Sequence, residues 1–580
     1  MFCQLETLRQ CLPPSVRRTL NELPESLDET YERILREIKR PNRDHACRLL
    51  QCLVVAIRPL EVKELAEVLA VDFDDAEGIA KLKPNWRWED EEQALLTSCS
   101  SLITTVKTED SRVVQFSHFS VKEYLTSERL ATSSGNVLRY HIDLEPAHTI
   151  LAQACLSVLL QPDDGVKDSQ NVAGKSSPLA GYAAHHWVTH VQFERVSSFV
   201  RKAMEYLFNP DMPYFAAWLQ LHDIDTHRKY PFDGHDGHWE SGATPLYYAV
   251  LCGLEDLVKH LVVKYPQHVN TGGGKYGRPL VAALAGGHLQ IARHLLHNGA
   301  HVDVLDNYKC TPLNDAVLYG DFEMVKVLLE YKADVNARNR RNATPIHRVP
   351  EGFWFFDIPH HGPQMLVDIA RLLLERGADL NAQDEYGKTP LHAAARRKTV
   401  EVLRVFLEHG ANVGAQDHQG RTPLYEAVES RTVEFVRVLL EHGANVGAED
   451  NQGRTPLHRA VEGGNTEAVR VLLVHGANIG AKDNQGKTSL YEAAVYGRVD
   501  VVLVLLEHGA NVGEEDNHGR TPLHRAAEFG RVEVVRVLLE HGANVGVQDN
   551  LGKTPFPIAS ETRYDEIVKL LSEYGAKDVL

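Results

Sequence analysis

DNHGRTPLHRAAEFGRVEVVRVLLEHGANVGVQ, Asp516 to Gln548, carries the local signals of two short helices joined by turns. Thr521 and Pro522 predict the start of the first helix, because threonine caps free amides and proline fits the first helical position. Gly530 predicts its end, since glycine tolerates the left-handed conformation. A second helix is predicted from four apolar residues at helical spacing: Val532, Val535, Leu538 and Leu539.

The same unit recurs through the C-terminal part of the chain. Its marker is Thr-Pro-Leu or a close variant, with the threonine at these positions: Thr244, Thr311, Thr344, Thr389, Thr422, Thr455, Thr488, Thr521 and Thr554. Arg278 takes the place of the threonine in one further copy. The step is 33 or 34 residues except after Thr344, where 12 residues are inserted. Because two short helices cannot bury their apolar faces alone, we predict ten units stacked as a solenoid.

The unit resembles the ankyrin repeat in the pattern T-P-L-H-x-A-A, a glycine, V-V-x-L-L-L and G-A-x-V. The resemblance implies a mainly α fold, an α-solenoid of about ten ankyrin repeats preceded by a winged-helix and helical connector region. It also implies a protein ligand on the concave face of the array and no catalytic chemistry. We therefore expect a non-enzymatic scaffold or sensor.

Charge and composition exclude several classes of function. The chain has 62 basic and 79 acidic residues, a net charge of −17, which is unlike a nucleic-acid binder. Its eight cysteines include no CxxC pair, which indicates a reducing compartment. The N-terminus has no signal-peptide layout, and the longest apolar runs are far shorter than a membrane span. We expect a soluble, cytoplasmic protein with no membrane span and no nucleic-acid partner.

A cation precedes the marker threonine in six consecutive units: Lys388, Arg421, Arg454, Lys487, Arg520 and Lys553. Two interpretations stay open. These residues form a basic ridge for an acidic partner, or they are a solubility feature copied by duplication and offset by nearby carboxylates.

Four consecutive aromatic residues lie in the 12-residue insertion: Phe353, Trp354, Phe355 and Phe356. Aromatic residues are enriched in binding hot spots, so they are candidates for contact with a partner. The alternative is that the inserted loop folds back and buries them on its own repeat.

Searches for enzyme and metal motifs give no candidate. Gly174-Lys175-Ser176 matches the end of a phosphate loop, but Ser169 stands where its first glycine belongs. There is no GxSxG motif, no kinase motif set and no HExxH helix. The histidine groups outside the repeat pattern, His360-His361 and Asp233 to His238, lack thiolate partners. We predict no catalytic residue, no cofactor and no metal.

The N-terminal region has a different organisation. Ser26 and Glu29 predict a capping box before a helix, and a second helix is predicted from about Arg43 to Val55. The alternating runs SSLITTVK and RVVQFS predict a β-hairpin. Helices followed by a hairpin describe a winged helix, and its helix VKELAEVLAV, with one lysine and two glutamates, favours protein over DNA. Within VQFSHFSVKEYL, Ser120 to Glu123 predict another capping box.

We assign four regions: residues 1–40, a helical segment that would end a NACHT-like helical region; 41–135, a winged-helix-like domain; 136–238, a helical connector with a polar linker near 163–177; and 239–580, the repeat array with its insertion near 350–361.

LPESLDETYERIL, RPLEVKELAEVLAVDF and VQFSHFSVKEYL resemble the winged-helix region that follows the NACHT ATPase core in fungal NACHT–ankyrin receptors of the STAND class. The same module is labelled a GPI inositol-deacylase winged-helix domain. In related receptors the histidine of the F-x-H stretch contacts ADP, and the resemblance places His118 there. Residues that would build the nucleotide pocket are missing, so His118 is a candidate relic of that ADP-sensing position.

The resemblance implies a signalling, innate-immunity-like context and a NACHT-type ATPase as a candidate partner. Three functions stay open: a scaffold or sensor, the regulatory half of a nucleotide-dependent switch ATPase whose core lies upstream, and an inhibitor or substrate adaptor for an enzyme. We expect the chain to be either a standalone adaptor or a truncated gene model.

Overall fold

A computed structural model of the chain contains two compact units that divide between Ala300 and His301. It describes these residues: 27–74, 79–99, 101–108, 111–133, 135–161, 177–222, 224–227, 243–307, 309–351, 363–397, 399–429 and 432–575. Both units are mainly helical. Over these residues no helix has the length and apolarity needed to cross a bilayer, and the six cysteines they include form no disulfide bond with one another.

The first unit begins with the helices and hairpin predicted for a winged helix. Its elements are α1 (Leu27–Glu37), α2 (Arg43–Val55), β1 (Leu60–Glu61), α3 (Val62–Leu69), β2 (Val71–Asp72), β3 (Lys81–Leu82), α4 (Glu91–Cys99), β4 (Ile103–Lys107), β5 (Arg112–Phe116), α5 (Phe119–Leu125) and α6 (Glu128–Ala131). The predicted hairpin is confirmed: β4 and β5 are antiparallel, with Ile103 opposite Phe116. Strand β1 extends the sheet in the order β1-β5-β4, and β2 pairs with β3.

Helix α3 corresponds to the predicted VKELAEVLAV helix and is almost completely buried. Its carboxylates are buried as well, each beside an arginine: Glu64 with Arg58 and Glu67 with Arg87. A helix that reads a DNA groove needs a free face. Lys63 is the one exposed residue of helix α3, so the helix has no such face, and Glu64 and Glu67 form their ion pairs inside the domain.

The capping box predicted from Ser120 is wrong. Helix α5 starts earlier, at Phe119, and its N-cap is His118, whose Nδ1 accepts a hydrogen bond from the Ser120 amide at 3.3 Å. The Ser120 hydroxyl instead lies 2.8 Å from the Tyr31 hydroxyl. An imidazole nitrogen can accept a hydrogen bond as a serine oxygen does, and here it takes the capping role.

A helical connector follows, made of α7 (Leu144–Leu159), α8 (Ala180–Val191), α9 (Val196–Leu207), α10 (Tyr214–Leu221) and α11 (Ile224–His227). Its core is aromatic: the buried rings of Trp187 and Trp218 lie 5.4 Å apart between centroids, and Phe208 contacts both. The predicted polar linker lies mostly outside the described residues, which resume at Ser177.

Ten helix pairs follow, which we number as repeats 1 to 10. They are α12 (Pro245–Leu251) with α13 (Glu255–Lys264), α14 (Pro279–Ala285) with α15 (Leu289–His297), α16 (Pro312–Tyr319) with α17 (Phe322–Glu330), α18 (Pro345–Arg348) with α19 (Pro363–Glu375), α20 (Pro390–Arg396) with α21 (Val400–Glu408), α22 (Pro423–Glu429) with α23 (Glu434–Glu441), α24 (Pro456–Gly463) with α25 (Thr466–Val474), α26 (Ser489–Tyr496) with α27 (Val499–Glu507), α28 (Pro522–Glu528) with α29 (Val532–Glu540), and α30 (Pro555–Glu561) with α31 (Asp565–Glu573). Repeats 1 and 2 belong to the first unit and repeats 3 to 10 to the second.

The sequence signals of the repeat are confirmed in detail. In repeat 9, Thr521 is the N-cap and Pro522 the first helical residue. Gly530 follows with a φ of +69°, a conformation that favours glycine. Leu523 and Leu538 are buried at no more than 1% exposure. Within each compact unit, the first helices of successive repeats pack on one another, which is how repeats too small to fold alone become stable.

Candidate protein-interaction surface

A buried histidine joins successive repeats of the second unit. In repeat 9, His524 Nδ1 lies 3.1 Å from the Thr521 amide, which donates to it, and 2.8 Å from the Thr521 hydroxyl. The opposite nitrogen, Nε2, lies 3.1 Å from the carbonyl oxygen of Lys553 in repeat 10. Because Nδ1 accepts, Nε2 carries the proton and donates to that carbonyl.

The same arrangement is present at three other positions: His347, His392 and His458. Burial lowers the pKa of all four imidazoles. They are therefore neutral near pH 7 and act as structural links between repeats.

Repeats 6 and 8 have tyrosine in place of this histidine. The hydroxyl of buried Tyr491 in repeat 8 donates a 2.5 Å hydrogen bond to Asp516 Oδ2 in repeat 9. Burial, followed by the hydrogen bond to Asp516, raises the pKa of Tyr491. Tyr491 thus reaches the first residue of the next turn, whereas the histidines reach the fifth.

The turn tips are joined by a second set of hydrogen bonds. The amide of Asn517 donates to the carbonyl oxygen of Gln485 at 2.9 Å, and its side-chain amide donates to the Asn484 carbonyl at 3.1 Å. Asn451, Asn484 and Asn550 repeat both contacts, each with the turn of the preceding repeat. These bonds hold successive tips in fixed register, so the surface that they form is preorganised.

Each of the six predicted cations lies beside a carboxylate. The pairs are Lys388–Glu426 at 2.8 Å, Arg421–Asp417 at 2.8 Å, Arg454–Asp450 at 2.9 Å, Lys487–Glu492 at 3.6 Å, Arg520–Glu528 at 3.4 Å and Lys553–Glu561 at 2.7 Å. The positive charge of these positions is therefore compensated locally. Their role in binding a partner stays a prediction.

Two exposed aromatic residues stand on this compensated surface. Tyr496 is 40% exposed and Phe529 41% exposed, and both mark the end of the first helix, in repeats 8 and 9. The guanidinium of Arg525 lies 5.2 Å from the Phe529 ring centroid, and the Tyr496 hydroxyl lies 3.5 Å from Glu462 Oε1.

Sequence reasoning missed these two residues, although a signal was present. Repeats 6, 7 and 10 have small or polar residues at the equivalent place: Ser430, Gly463 and Thr562. Repeats 8 and 9 instead have an aromatic residue at this position, which lies at the exposed end of the first helix. Tyr386 and Leu551, also exposed, show a similar change at the tips of repeats 5 and 10.

Comparison with known proteins identifies the repeat. A family model described as "Ankyrin repeats (3 copies)" matches residues 246–339, 364–450, 443–516 and 510–579, more than half of the chain. The chain belongs to the ankyrin-repeat family. A second model, "GPI inositol-deacylase, winged helix domain", matches residues 31–135.

Several proteins are similar to parts of this ankyrin-repeat chain. Azaphilone pigments biosynthesis cluster protein L of Monascus ruber is 34% identical over 297 residues, which is 49% of this chain and 61% of that protein. Ankyrin repeat and SAM domain-containing protein 6 of Mus musculus is 35% identical over 100 residues, 17% of this chain and 11% of that protein. Target of rapamycin complex 2 subunit AVO2 of Saccharomyces cerevisiae is 29% identical over 142 residues, 22% of this chain and 33% of that protein. The chain spans less than two thirds of the length of each.

The remaining predicted positions lie elsewhere. His118 is exposed, caps α5 and contacts Phe119, with ring centroids 4.4 Å apart and the ring planes tilted by 34°. The aromatic stretch Phe353 to Phe356, the near-phosphate-loop residues 171–176 and the histidine groups at 233–238 and 360–361 lie outside the described residues.

Among the described residues, one group has the chemistry of metal ligands: Asp306, Cys310 and Asp315, all buried in repeat 3 of the ankyrin array. Asp306 Oδ1 accepts from the Cys310 amide at 2.6 Å. Burial and the nearby carboxylates raise the pKa of Cys310 to about 12, while the buried Arg348 guanidinium acts on it in the opposite direction. Burial therefore favours the protonated form of the Cys310 thiol.

Proposed function

We propose that this protein is a non-enzymatic interaction protein that binds a protein partner on the turn tips and first helices of its ankyrin array. The observation that carries the proposal is the pair Tyr496 and Phe529. Ankyrin repeats support a role in protein interaction, and this pair gives that role a place on the surface. The name of one relative, a subunit of target of rapamycin complex 2, agrees with it.

The free energy gained by burying the two rings makes them suitable anchors for a partner. Each still exposes about two fifths of its surface. Burying that remainder, on the order of 80 Å² per ring, contributes on the order of 2 kcal/mol of binding free energy. The neighbouring ion pairs are already formed within the array, so they supply little further attraction and help to exclude other partners.

The test is a comparison of two double variants of the full chain, used as bait for quantitative affinity purification. Y496A/F529A removes the proposed anchors. V474A/L503A removes two exposed apolar side chains of the second helices of repeats 7 and 8, which are 76% and 37% exposed. We expect the first variant to lose its specific partner and the second to keep it. Loss in both, or retention in both, would contradict the assignment of the surface.

The proposal gives the array no catalytic role. Three buried titratable side chains, His458, His524 and Tyr491, support this view, because each is already engaged in a hydrogen bond between repeats. Free thiols among the described cysteines support placement in a reducing, cytoplasmic compartment.

A second proposal concerns the signalling context. We infer that the winged-helix domain docks on a NACHT-type ATPase, on the strength of its sequence resemblance and of the exposed pair His118 and Phe119, with Phe119 72% exposed. Calorimetry of the full chain with ADP, alone and with such an ATPase, tests it. Binding of the ATPase that is weakened by F119A supports docking, and ADP binding by the chain alone supports a switch ATPase instead. No interaction with the ATPase at micromolar concentrations would refute it.

A further inference from the structure

A surface cleft of about 600 Å³ lies in the winged-helix domain, along α4. Its wall is formed by the segment Trp86 to Asp90, by α4 residues from Gln93 to Ser98 and by Asn42. This volume is within the range of small-ligand and side-chain pockets, roughly 300–1,000 Å³. The ankyrin array takes no part in it.

Two tryptophans line this cleft, Trp86 at 49% and Trp88 at 48% exposure. The other two described tryptophans, Trp187 and Trp218, are at most 1% exposed in the connector core. An indole is a costly group to leave half exposed, and two on one cleft form an apolar surface that a partner would cover.

Arg87 also lines the cleft, with its side chain 41% exposed, but its positive charge is balanced by an ion pair. Its guanidinium forms an ion pair with buried Glu67, whose other oxygen accepts from the Leu179 amide at 2.8 Å and from the Ser177 hydroxyl. The contact anchors the segment to the domain core. Arg87 is the one basic residue between Asn85 and Glu92, and this ion pair balances its charge.

The same segment carries carboxylates without cation partners. Glu89 and Asp90 line the cleft, and Glu91 follows at the start of α4. Over the residues that the structure describes, none of these three forms an ion pair, whereas the next residue, Glu92, pairs with Arg112. Asp90 also caps α4, its Oδ1 accepting from the Gln93 amide at 2.9 Å. The cleft thus combines two indole faces with uncompensated negative charge.

Indole faces attract cations through their quadrupole, and carboxylates attract them through charge. The combination discriminates against acidic and neutral groups. We propose that this cleft binds the cationic side chain of a lysine- or arginine-bearing segment of a partner protein. Trp86 and Trp88 enclose the alkyl stem and the cationic head, and Glu89 and Asp90 face the charge. The site is independent of the surface proposed for the array.

The probes are three fluorescein-labelled octapeptides with alternating lysine and glycine, arginine and glycine, or glutamate and glycine. Binding to the full chain is followed by fluorescence anisotropy. We expect a Kd below about 1 mM for at least one cationic peptide and none for the glutamate peptide. W86L/W88L, which keeps apolar bulk without the π face, should weaken cationic binding at least about fivefold. W86F/W88F should bind more tightly than the leucine variant.

Two further variants separate charge from general surface effects. E89Q/E91Q should weaken binding at low salt and reduce its salt dependence, because it removes screened charges and leaves the indoles in place. F199A, an exposed aromatic residue of the connector at 57% exposure, is the matched control and should bind like the unmodified chain. Circular dichroism establishes that each variant is folded. Equal binding of the glutamate peptide, unchanged affinity in W86L/W88L, or no cationic binding up to about 1 mM would overturn the proposal.

Discussion

Acidification should destabilise the ankyrin array through its buried histidines. Burial lowers the pKa of His347, His392, His458 and His524, so the unfolded chain takes up protons more readily than the folded one. Each imidazole also donates from Nε2 to a carbonyl and accepts at Nδ1 from an amide. A proton on Nδ1 would break that acceptor contact. The stabilisation is complete above the unfolded pKa of about 6.5 and is lost as the pH falls below it.

The size of the loss follows from proton linkage. Between pH 7.0 and 5.5, a histidine with an unfolded pKa of about 6.5 that stays neutral when folded loses at most about 1.3 kcal/mol of stability. Other buried histidines add to the total, among them His190, whose pKa burial lowers to about 3. A difference between variants is therefore more informative than the slope of the unmodified chain.

The array itself supplies the control substitution. Repeats 6 and 8 replace the histidine by tyrosine, which does not titrate in this range, so H458Y and H524Y copy a natural solution. Tyrosine at 458 or 524 should reach the aspartate of the next turn, Asp483 or Asp549, as Tyr491 reaches Asp516. Urea unfolding followed by far-ultraviolet circular dichroism at both pH values measures the effect. H458Y/H524Y should lose up to about 2.5 kcal/mol less than the unmodified chain on acidification. Equal losses in both proteins would refute the assigned neutral state.

Three more substitutions test single contacts, each by the same unfolding measurement at pH 7. Y491F should cost about 1–2 kcal/mol, because Oδ2 of buried Asp516 loses its donor while Oδ1 keeps its two backbone amides; an unchanged free energy of unfolding would show that this bond does not stabilise the array. L503R should raise the free energy of unfolding by at most about 0.5 kcal/mol, and only at low salt. Glu533 lies 30 residues after position 503, which is the spacing of the Arg404–Glu434 ion pair, so the new arginine should pair with it. A loss of stability would contradict this pairing. G530A should cost at least about 1 kcal/mol, since its Cβ would lie 2.6 Å from the Tyr564 ring at a φ of +69°, and Y564A should restore part of the loss.

The helices of the repeats could be predicted from sequence because their limits are set by adjacent residues. Thr521, Pro522 and Gly530 act within one turn of the helix that they bound, so reading along the chain is sufficient. The start of α5 could not be predicted in this way. The Ser120 hydroxyl lies beside Tyr31, 89 positions earlier, and His118 caps the helix in its place.

The contacts of the candidate surface also divide into those that nearby sequence predicts and those that it does not. The partner of Arg421 is Asp417, four residues earlier, and the sequence already suggested nearby carboxylates for these cations. The partner of Lys388 is Glu426 in the next repeat, which follows only from stacking. The exposure of Trp86 and Trp88 was equally hidden, because composition does not tell a buried indole from an exposed one.

The central claim is that the array binds protein through Tyr496 and Phe529. Site-specific photocrosslinking in cells tests it most directly, with a benzophenone amino acid placed at 496 or 529 and, as controls, at Val474 or Leu503 on the second helices. We expect a discrete covalent adduct with one partner protein from positions 496 and 529 and little from the controls. Adducts from 474 and 503 of equal yield, or none from 496 and 529 while the controls react, would contradict it.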